Sequence, residues 1–300
     1  MATEPPQWQR AFLQRHQLPD SYLVSAQQWF APLAQAIAAH QNGAHRPVLV
    51  AVNGSQGSGK TTVCDYLRDE LQGSYGLRTL SLSLDDFYLT RAQRRELAVT
   101  VHPLLATRGV PGTHDMQLLA HTLDALLEPE PSVIAIPRFD KALDDRCPRE
   151  AWGVVEQGVD IVLLEGWCLG ARAQLEAALS APVNALEADE DRDTAWRRHV
   201  NAALRQDFEP MYSRVDQWVM LAAPSFDCVY QWRLEQEQKL ATCRAGDAIM
   251  NAGQVARFIQ FYERLTRHCL DSLPQRMHHF YQLDEQRQVS AYRHCLAAEL

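Results

Sequence analysis

A lysine and a threonine behind a glycine-rich turn open the chemistry of this chain. Gly54-Ser55-Gln56-Gly57-Ser58-Gly59-Lys60-Thr61 fits G-x-x-x-x-G-K-[ST], a spacing suited to holding phosphates. A triphosphate is dense negative charge and needs many donors aimed at one point. Glycines let successive backbone N–H groups turn inward with no Cβ in the way. A helix starting there adds the positive end of its dipole. Lys60 then offers an ammonium to the β and γ phosphates, and Thr61 a hydroxyl to Mg²⁺.

Three further polar clusters have the types that phosphoryl transfer to a hydroxyl requires. Asp85-Asp86 supplies two adjacent carboxylates. One is needed to orient a hydroxyl and accept its proton, and acidic groups are needed around Mg²⁺; either aspartate suits either task. Glu165, which closes the apolar run Ile161-Val162-Leu163-Leu164, stands where an acidic residue reaches Mg²⁺, so Thr61, Asp86 and Glu165 are the expected metal ligands. Arg108, Arg138 and Lys141 are candidate anion binders, since arginine grips carboxylates and phosphates bidentately. Arg138, directly after Pro137, is the best placed. His114, beside His102 and Asp115, is a further candidate for the substrate side. Tyr88 suits core packing with Phe87 but also stands next to the aspartates, so it joins that set. Arg233, in a charge-rich helix, is a candidate to close over a nucleotide.

These residues need elements to position them. Pro47–Asn53 is apolar and β-branched, a buried strand, and the helix behind the glycine loop runs to about residue 72, with Gly73 to Gly76 as cap and turn. Arg78–Leu84 alternates as a strand ending at Asp85. Thr113 suits an N-cap for a helix over 114–127. Ser132–Ile136 and Val159–Leu164 are two more strands, and Asp216–Ala222 is the last of the core. Helices are expected over 226–242, 252–270 and 286–299. Strands alternating with helices imply an α/β three-layer fold with a mostly parallel sheet, plus N-terminal and C-terminal helices. Ligands of such sheets sit beyond the carboxyl ends of the strands, and each polar cluster follows a strand. Residues 1–46 form an N-terminal helical extension, interrupted near Pro19. Residues 47–300 form the main domain, with 187–207 as a helical lid.

Composition narrows the function classes. The net charge is −8, most of it in the second half, which argues against a general nucleic-acid binder. No apolar run nears the roughly 18 residues that span a bilayer, and the N-terminus has no signal-peptide pattern. The seven cysteines are scattered without a C-x-x-C pair, as in a reduced, cytoplasmic protein. No H-E-x-x-H or paired Cys/His spacing suggests zinc. There is no N-K-x-D guanine-reading motif and no L-S-G-G-Q-like signature, which disfavours a switch or motor ATPase.

Assembled, these segments resemble the P-loop small-molecule kinases that include uridine kinase, phosphoribulokinase and bacterial pantothenate kinase. They are most similar to the D-glycerate 3-kinase branch and its kinase-like relatives. The resemblance rests on Gly54–Thr62, Ser83–Thr90, Arg108–Asp115, Ile136–Lys141, Val162–Trp167 and Trp232–Glu237, and covers about residues 47–270. It implies transfer of the γ-phosphate of MgATP to a small alcohol, with D-glycerate as the first expectation and a nucleoside or pantothenate-like alcohol as the alternative. On this pattern Asp85 aligns with the general base, Lys60, Asp86, Glu165 and Arg138 complete the catalytic set, and Gly54 to Thr62 hold the nucleotide. A carboxylate-bearing acceptor calls for a basic anchor among Arg108, Arg138 and Lys141. The implied partners are a small-molecule substrate and at most a second copy of the chain, with no nucleic acid and no membrane.

Overall fold

The computed structural model describes residues 6–129, 133–243 and 250–295. Three helices, α1 (Gln7–His16), α2 (Ser21–Trp29) and α3 (Ala31–Ala44), precede strand β1 (Val48–Gly54), and the glycine loop leads into α4 (Lys60–Tyr75). Strand β2 (Thr79–Ser83) runs into a short 3₁₀ turn, Leu84–Phe87, followed by α5 (Arg91–Thr100) and α6 (Met116–Leu127). Four short strands come next: β3 (Ile134–Ile136), β4 (Phe139–Asp140), β5 (Asp145–Arg146) and β6 (Gly153–Val155). Strand β7 (Ile161–Gly166) returns to the centre, then α7 (Glu176–Leu179), α8 (Ala185–Glu190) and α9 (Ala195–Ala203) lead to β8 (Gln217–Ala222). Helices α10 (Phe226–Cys243) and α11 (Ala252–Ser272) and a hairpin of β9 (His279–Leu283) and β10 (Val289–His294) follow.

The main sheet has six strands in the order β10-β9-β8-β1-β7-β2. All neighbours are parallel except β9 and β10. Val48 to Val52 and Ile161 to Leu164 have no solvent exposure. Such continuous apolar runs mark strands covered on both faces, and each side chain buried in this way contributes about 1.5–3 kcal/mol. Helices α1 and α3 pack on α4, where Trp8 meets Tyr66 edge-on at 5.7 Å. Phe12, Leu33 and Ile37 join the same core as the strands.

Register brings the polar clusters to one end. Val52 and Ser83 both pair with Glu165, from opposite sides, and Gly54 pairs with Leu221. The glycine loop, Asp85 and Glu165 therefore leave adjacent strands at the same level. No described helix is long and apolar enough to cross a membrane.

Several expectations need correction. Helix α4 runs through Gly73, because Gly73 serves close packing: a Cβ there would lie 2.6 Å from Trp8 Cδ1. The helix stops instead at Gly76, whose φ of 68° is the left-handed conformation that glycine adopts at least cost. Asp115, not Thr113, caps α6, accepting from Leu118 N at 3.0 Å, while Thr113 Oγ1 closes the preceding loop by bonding Val110 O at 2.7 Å. Asp216–Ala222 is not the last core strand, since β9 pairs beside it. The segment 286–299 is not helical where described: Val289–His294 is β10, antiparallel to β9, and the residues from 296 onward lie outside the described set. Ile134–Ile136 pairs with β6 in a separate two-stranded sheet, not in the main one; Ser132 lies outside the described residues.

The segment 187–207 comprises the end of α8, α9 and most of a π-helical turn, Leu204–Phe208. Glu187, Asp191 and Arg197 are buried in it. Arg197 Nε donates to Asp191 at 2.7 Å, and Arg264 of α11 donates to Glu187 at 2.7–2.8 Å.

Candidate active site

The glycine loop forms as its motif demands. Gly57 and Gly59 have φ of 79° and 86°, a region closed to most side chains. Gly54 allows a close approach, for its Cβ would lie 2.5 Å from Ser58 Oγ. Lys60, Thr61 and Thr62 begin α4. Ser55 Oγ, Gln56 Oε1 and Ser58 Oγ are buried without a hydrogen-bond partner. Buried polar atoms are rarely left unpaired, and the two serine hydroxyls are free to donate to an acceptor-rich ligand such as phosphate.

Glu165 lies on the floor, 4% exposed. Its Oε1 accepts from Thr61 Oγ1 at 3.0 Å, and its Oε2 is 3.7 Å from Lys60 Nζ with no hydrogen bond. A hydroxyl and a carboxylate with a spare buried oxygen make a donor set fit for a hard cation such as Mg²⁺.

The aspartates diverge. Asp85 Oδ2 accepts from Lys141 Nζ at 2.6 Å, and Oδ1 from Tyr88 OH at 2.8 Å. Burial pushes the Asp85 carboxyl up, but the charges of Lys141 and Lys60 and the two hydrogen bonds outweigh it and lower it to about 2. Asp86 points the other way. Its Oδ1 accepts from Phe139 N at 3.2 Å and its Oδ2 from Arg138 at 3.1 Å. Burial raises its carboxyl above the usual range despite these partners. Asp85 is thus the aspartate whose carboxyl is held down in part by the charge of the glycine loop's lysine.

Tyr88 and His114 stand behind Asp85. Both are buried, their rings stack at 4.5 Å, and their backbones form an antiparallel bridge. Burial and the adjacent carboxylate push the Tyr88 phenol far up, so it remains a donor. Burial lowers the His114 imidazole to about 4 and keeps it neutral. His114 thus backs Tyr88, and both of its ring nitrogens are buried without a hydrogen-bond partner.

The basic candidates divide as well. Lys141 and Arg138 are more than half exposed and reach across to the aspartates. Arg108 is turned to Asp144 and lies 5.5 Å over the Phe139 ring, supporting the loop that carries Lys141. Arg233 pairs with Glu237 and lies 5.4 Å over Phe258. His102, Asp191 and Asp193 come close together, but Asp191 already accepts from Trp196 N, Arg197 N and Arg197 Nε.

Residues not singled out from sequence complete the arrangement. Arg94 is fully buried and donates to the carbonyls of Leu89, Ala106 and Asp144 at 2.7–3.2 Å. Arg146 donates to Tyr88 O at 2.8 Å and Asp115 Oδ2 at 2.9 Å. Tyr262 of α11 fits against Gly109, where a Cβ would come within 2.2 Å of its hydroxyl. Trp232 presses on Gly57, and Arg287 donates to Gly57 O at 3.0 Å. Arg94 and Tyr262 give no local signal, being a charge and a tyrosine within helical patterns; the glycines at 57 and 109 are the nearest sequence trace of close neighbours.

A phosphate cradle, a buried glutamate and a strand-end carboxylate at one end of a mostly parallel sheet define a P-loop kinase, a phosphotransferase acting on a small-molecule substrate. No family model matches the chain. It is 32% identical over 231 residues to the kinase mug58 of Schizosaccharomyces pombe, spanning 72% of this chain and 79% of that protein. It is 30% identical over 224 residues to the chloroplastic D-glycerate 3-kinase of Arabidopsis thaliana, spanning 72% of this chain but only 46% of the plant enzyme. Its structure is similar to D-glycerate 3-kinase from Cryptococcus neoformans, with a TM-score of 0.76 and 26% identity over 90% of this chain and 99% of that one. The chain belongs to the P-loop small-molecule kinases, in the branch of the glycerate 3-kinases and their kinase-like relatives.

Proposed function

We propose that this protein transfers the γ-phosphate of ATP to a hydroxyl of a small hydroxy acid, with D-glycerate the first acceptor. The observation that carries this reading is the Lys141–Asp85 pair, whose carboxylate also feels the charge of Lys60. A carboxylate able to take a hydroxyl proton stands between a lysine on the phosphate side and an exposed lysine on the acceptor side. An acceptor with its own carboxylate suits that second cation, and the names of the plant and fungal relatives point the same way.

In this reading the loop from Gly54 to Thr62 holds the nucleotide phosphates, and Thr61 and Glu165 hold Mg²⁺, which supplies charge neutralisation at the transferred group. Lys60 stabilises negative charge as it moves toward the leaving oxygen. Asp85 orients the acceptor hydroxyl and accepts its proton as the oxygen attacks phosphorus. Asp86 falls outside this metal pair: its oxygens fix Phe139 and Arg138 and so place the segment carrying Lys141. Arg138 and Lys141 bind the acceptor's carboxylate, with Arg108 bracing the loop beneath them. Tyr88, backed by His114, holds Asp85 in place. The reaction would run in a reducing cytoplasmic setting.

The test is ADP release with MgATP and a panel of hydroxy acids, sugars and nucleosides. Turnover should be highest with D-glycerate. Turnover with a nucleoside and none with any hydroxy acid would refute the acceptor assignment while leaving the kinase intact.

A further inference from the structure

Arg287 touches the phosphate loop from 230 residues away in sequence. It sits in the tight turn between β9 and β10. Asp284 N bonds Gln288 O at 2.8 Å, Asp284 Oδ1 accepts from Gln286 N and Gln288 N at 2.8–2.9 Å, and Arg287 N bonds Asp284 O at 3.0 Å. These bonds hold Arg287 at φ 64°, a left-handed conformation uncommon without glycine. Strained backbone of this kind persists where its surroundings over-determine it.

The constraint aims the guanidinium at the loop. Nε donates to Gly57 O at 3.0 Å, the other end pairs with Glu235 of α10, and the plane lies 5.4 Å over the Trp232 ring. Trp232 is 1% exposed and donates back to Glu285 O at 2.8 Å. Its Cβ fills the space that a Cβ on Gly57 would need, at 2.7 Å. Helix α10 and the hairpin thus lock each other and bear together on one glycine.

That glycine needs an outside restraint. With φ of 79° and no side chain, Gly57 has more backbone freedom than any other residue type. The peptide joining Gly57 to Ser58 is planar and rigid. The structure fixes it at both ends: Arg287 holds its carbonyl, and its N–H donates to Ser55 O at 3.2 Å. A peptide so held cannot rotate, and the N–H groups that follow keep their direction before any ligand arrives. Such preorganisation lowers the entropic cost of binding.

We propose that Arg287 is a positioning residue for the nucleotide, a brace from the β9–β10 turn that holds the phosphate loop in its binding shape through the Gly57 carbonyl. This rests on the nucleotide half of the proposed function and is indifferent to the acceptor.

The experiment measures ATP binding directly by calorimetry with Mg²⁺, together with kcat and both KM values, for wild type, Arg287→Ala, Arg287→Lys and Glu235→Gln. Arg293→Ala, on the same hairpin, is the control. Arg287→Ala should weaken ATP binding and raise KM for ATP about tenfold, the usual scale for losing one charged hydrogen bond, while KM for the acceptor stays put. Arg287→Lys should recover part of the loss, and Glu235→Gln should weaken binding by a smaller factor. Arg293→Ala should bind as wild type does. Unchanged ATP binding in Arg287→Ala, or equal rises in both KM values, overturns the proposal. Should Arg287→Ala not fold, wild-type affinity in both Arg287→Lys and Glu235→Gln overturns it instead. Failure of the wild type to bind ATP would refute the nucleotide site itself, a separate result.

Discussion

Lys141 Nζ donates to Asp85 Oδ2 at 2.6 Å, so the strand-end aspartate that the proposed function makes the base is held by an exposed lysine. The two side chains come from distant segments, 56 residues apart. On the proposed function, an acceptor with a negative group would compete for Lys141 and loosen its hold on Asp85, whereas a neutral alcohol would leave the pair closed.

Lys141→Met should therefore raise KM for a hydroxy acid about 10–100-fold, the scale of a lost charge-assisted bond. It should leave KM for ATP nearly unchanged, and it should not weaken the use of glycerol. Steady-state kinetics with the acid and the neutral alcohol in parallel checks this.

Asp85→Asn should lower kcat by about 10²–10⁴, as for a lost general base, while ATP still binds by calorimetry. Asp86→Asn should act more through KM for the acceptor, because Asp86 holds Arg138 and Phe139 N. If Asp86→Asn alone abolished turnover, the two roles would be exchanged.

The same carboxylate gives a pH dependence of stability. The folded Asp85 titrates at about 2, below the ordinary value near 3.9. A carboxyl depressed on folding adds stability that is present above its unfolded pKa and lost as pH falls through its folded one. Wild type should thus lose stability between about pH 4 and pH 2 more steeply than Asp85→Asn, as read by thermal melts across that window.

Lys60→Ala should abolish transfer, with kcat at least about 10²-fold down as for a lost transition-state donor. The melting temperature should move little, since the ion pair of Lys60 with Glu165 is long, at 3.7 Å. Full activity in this variant would remove the phosphate role of the loop.

Gly109→Ala should cost about 1–3 kcal/mol of stability through backbone strain. Gly109 has φ of 139°, and a methyl there would meet Tyr262 OH at 2.2 Å. Chemical denaturation measures the loss, and Tyr262→Phe in the same background should relieve part of it.

How much of this was legible depends on how local each signal is. The loop at 54–61 carries its own geometry in its glycines, and the apolar runs at 48–52 and 161–164 announce strands buried on both faces. The strand ends then place Asp85 and Glu165 by register alone. Thr113 misled because its hydroxyl serves the loop before the helix, where Val110 O is the nearer partner. The 286–299 segment misled because β10 is set by pairing with β9, a tertiary choice that overrides local propensity. The fates of Arg108 and Arg138 were equally hidden. Both are arginines in polar loops, and only the fold decides that one faces Asp144 and the other Asp86.

Strand β1 lies between β7 and β8, whose first residues come at 161 and 217. During synthesis at about 5–20 residues per second, the motif-bearing strand leaves the ribosome many seconds before either neighbour exists. The backbone N–H and C=O groups along both its edges stay unpaired for that interval, open to pairing with the wrong strand.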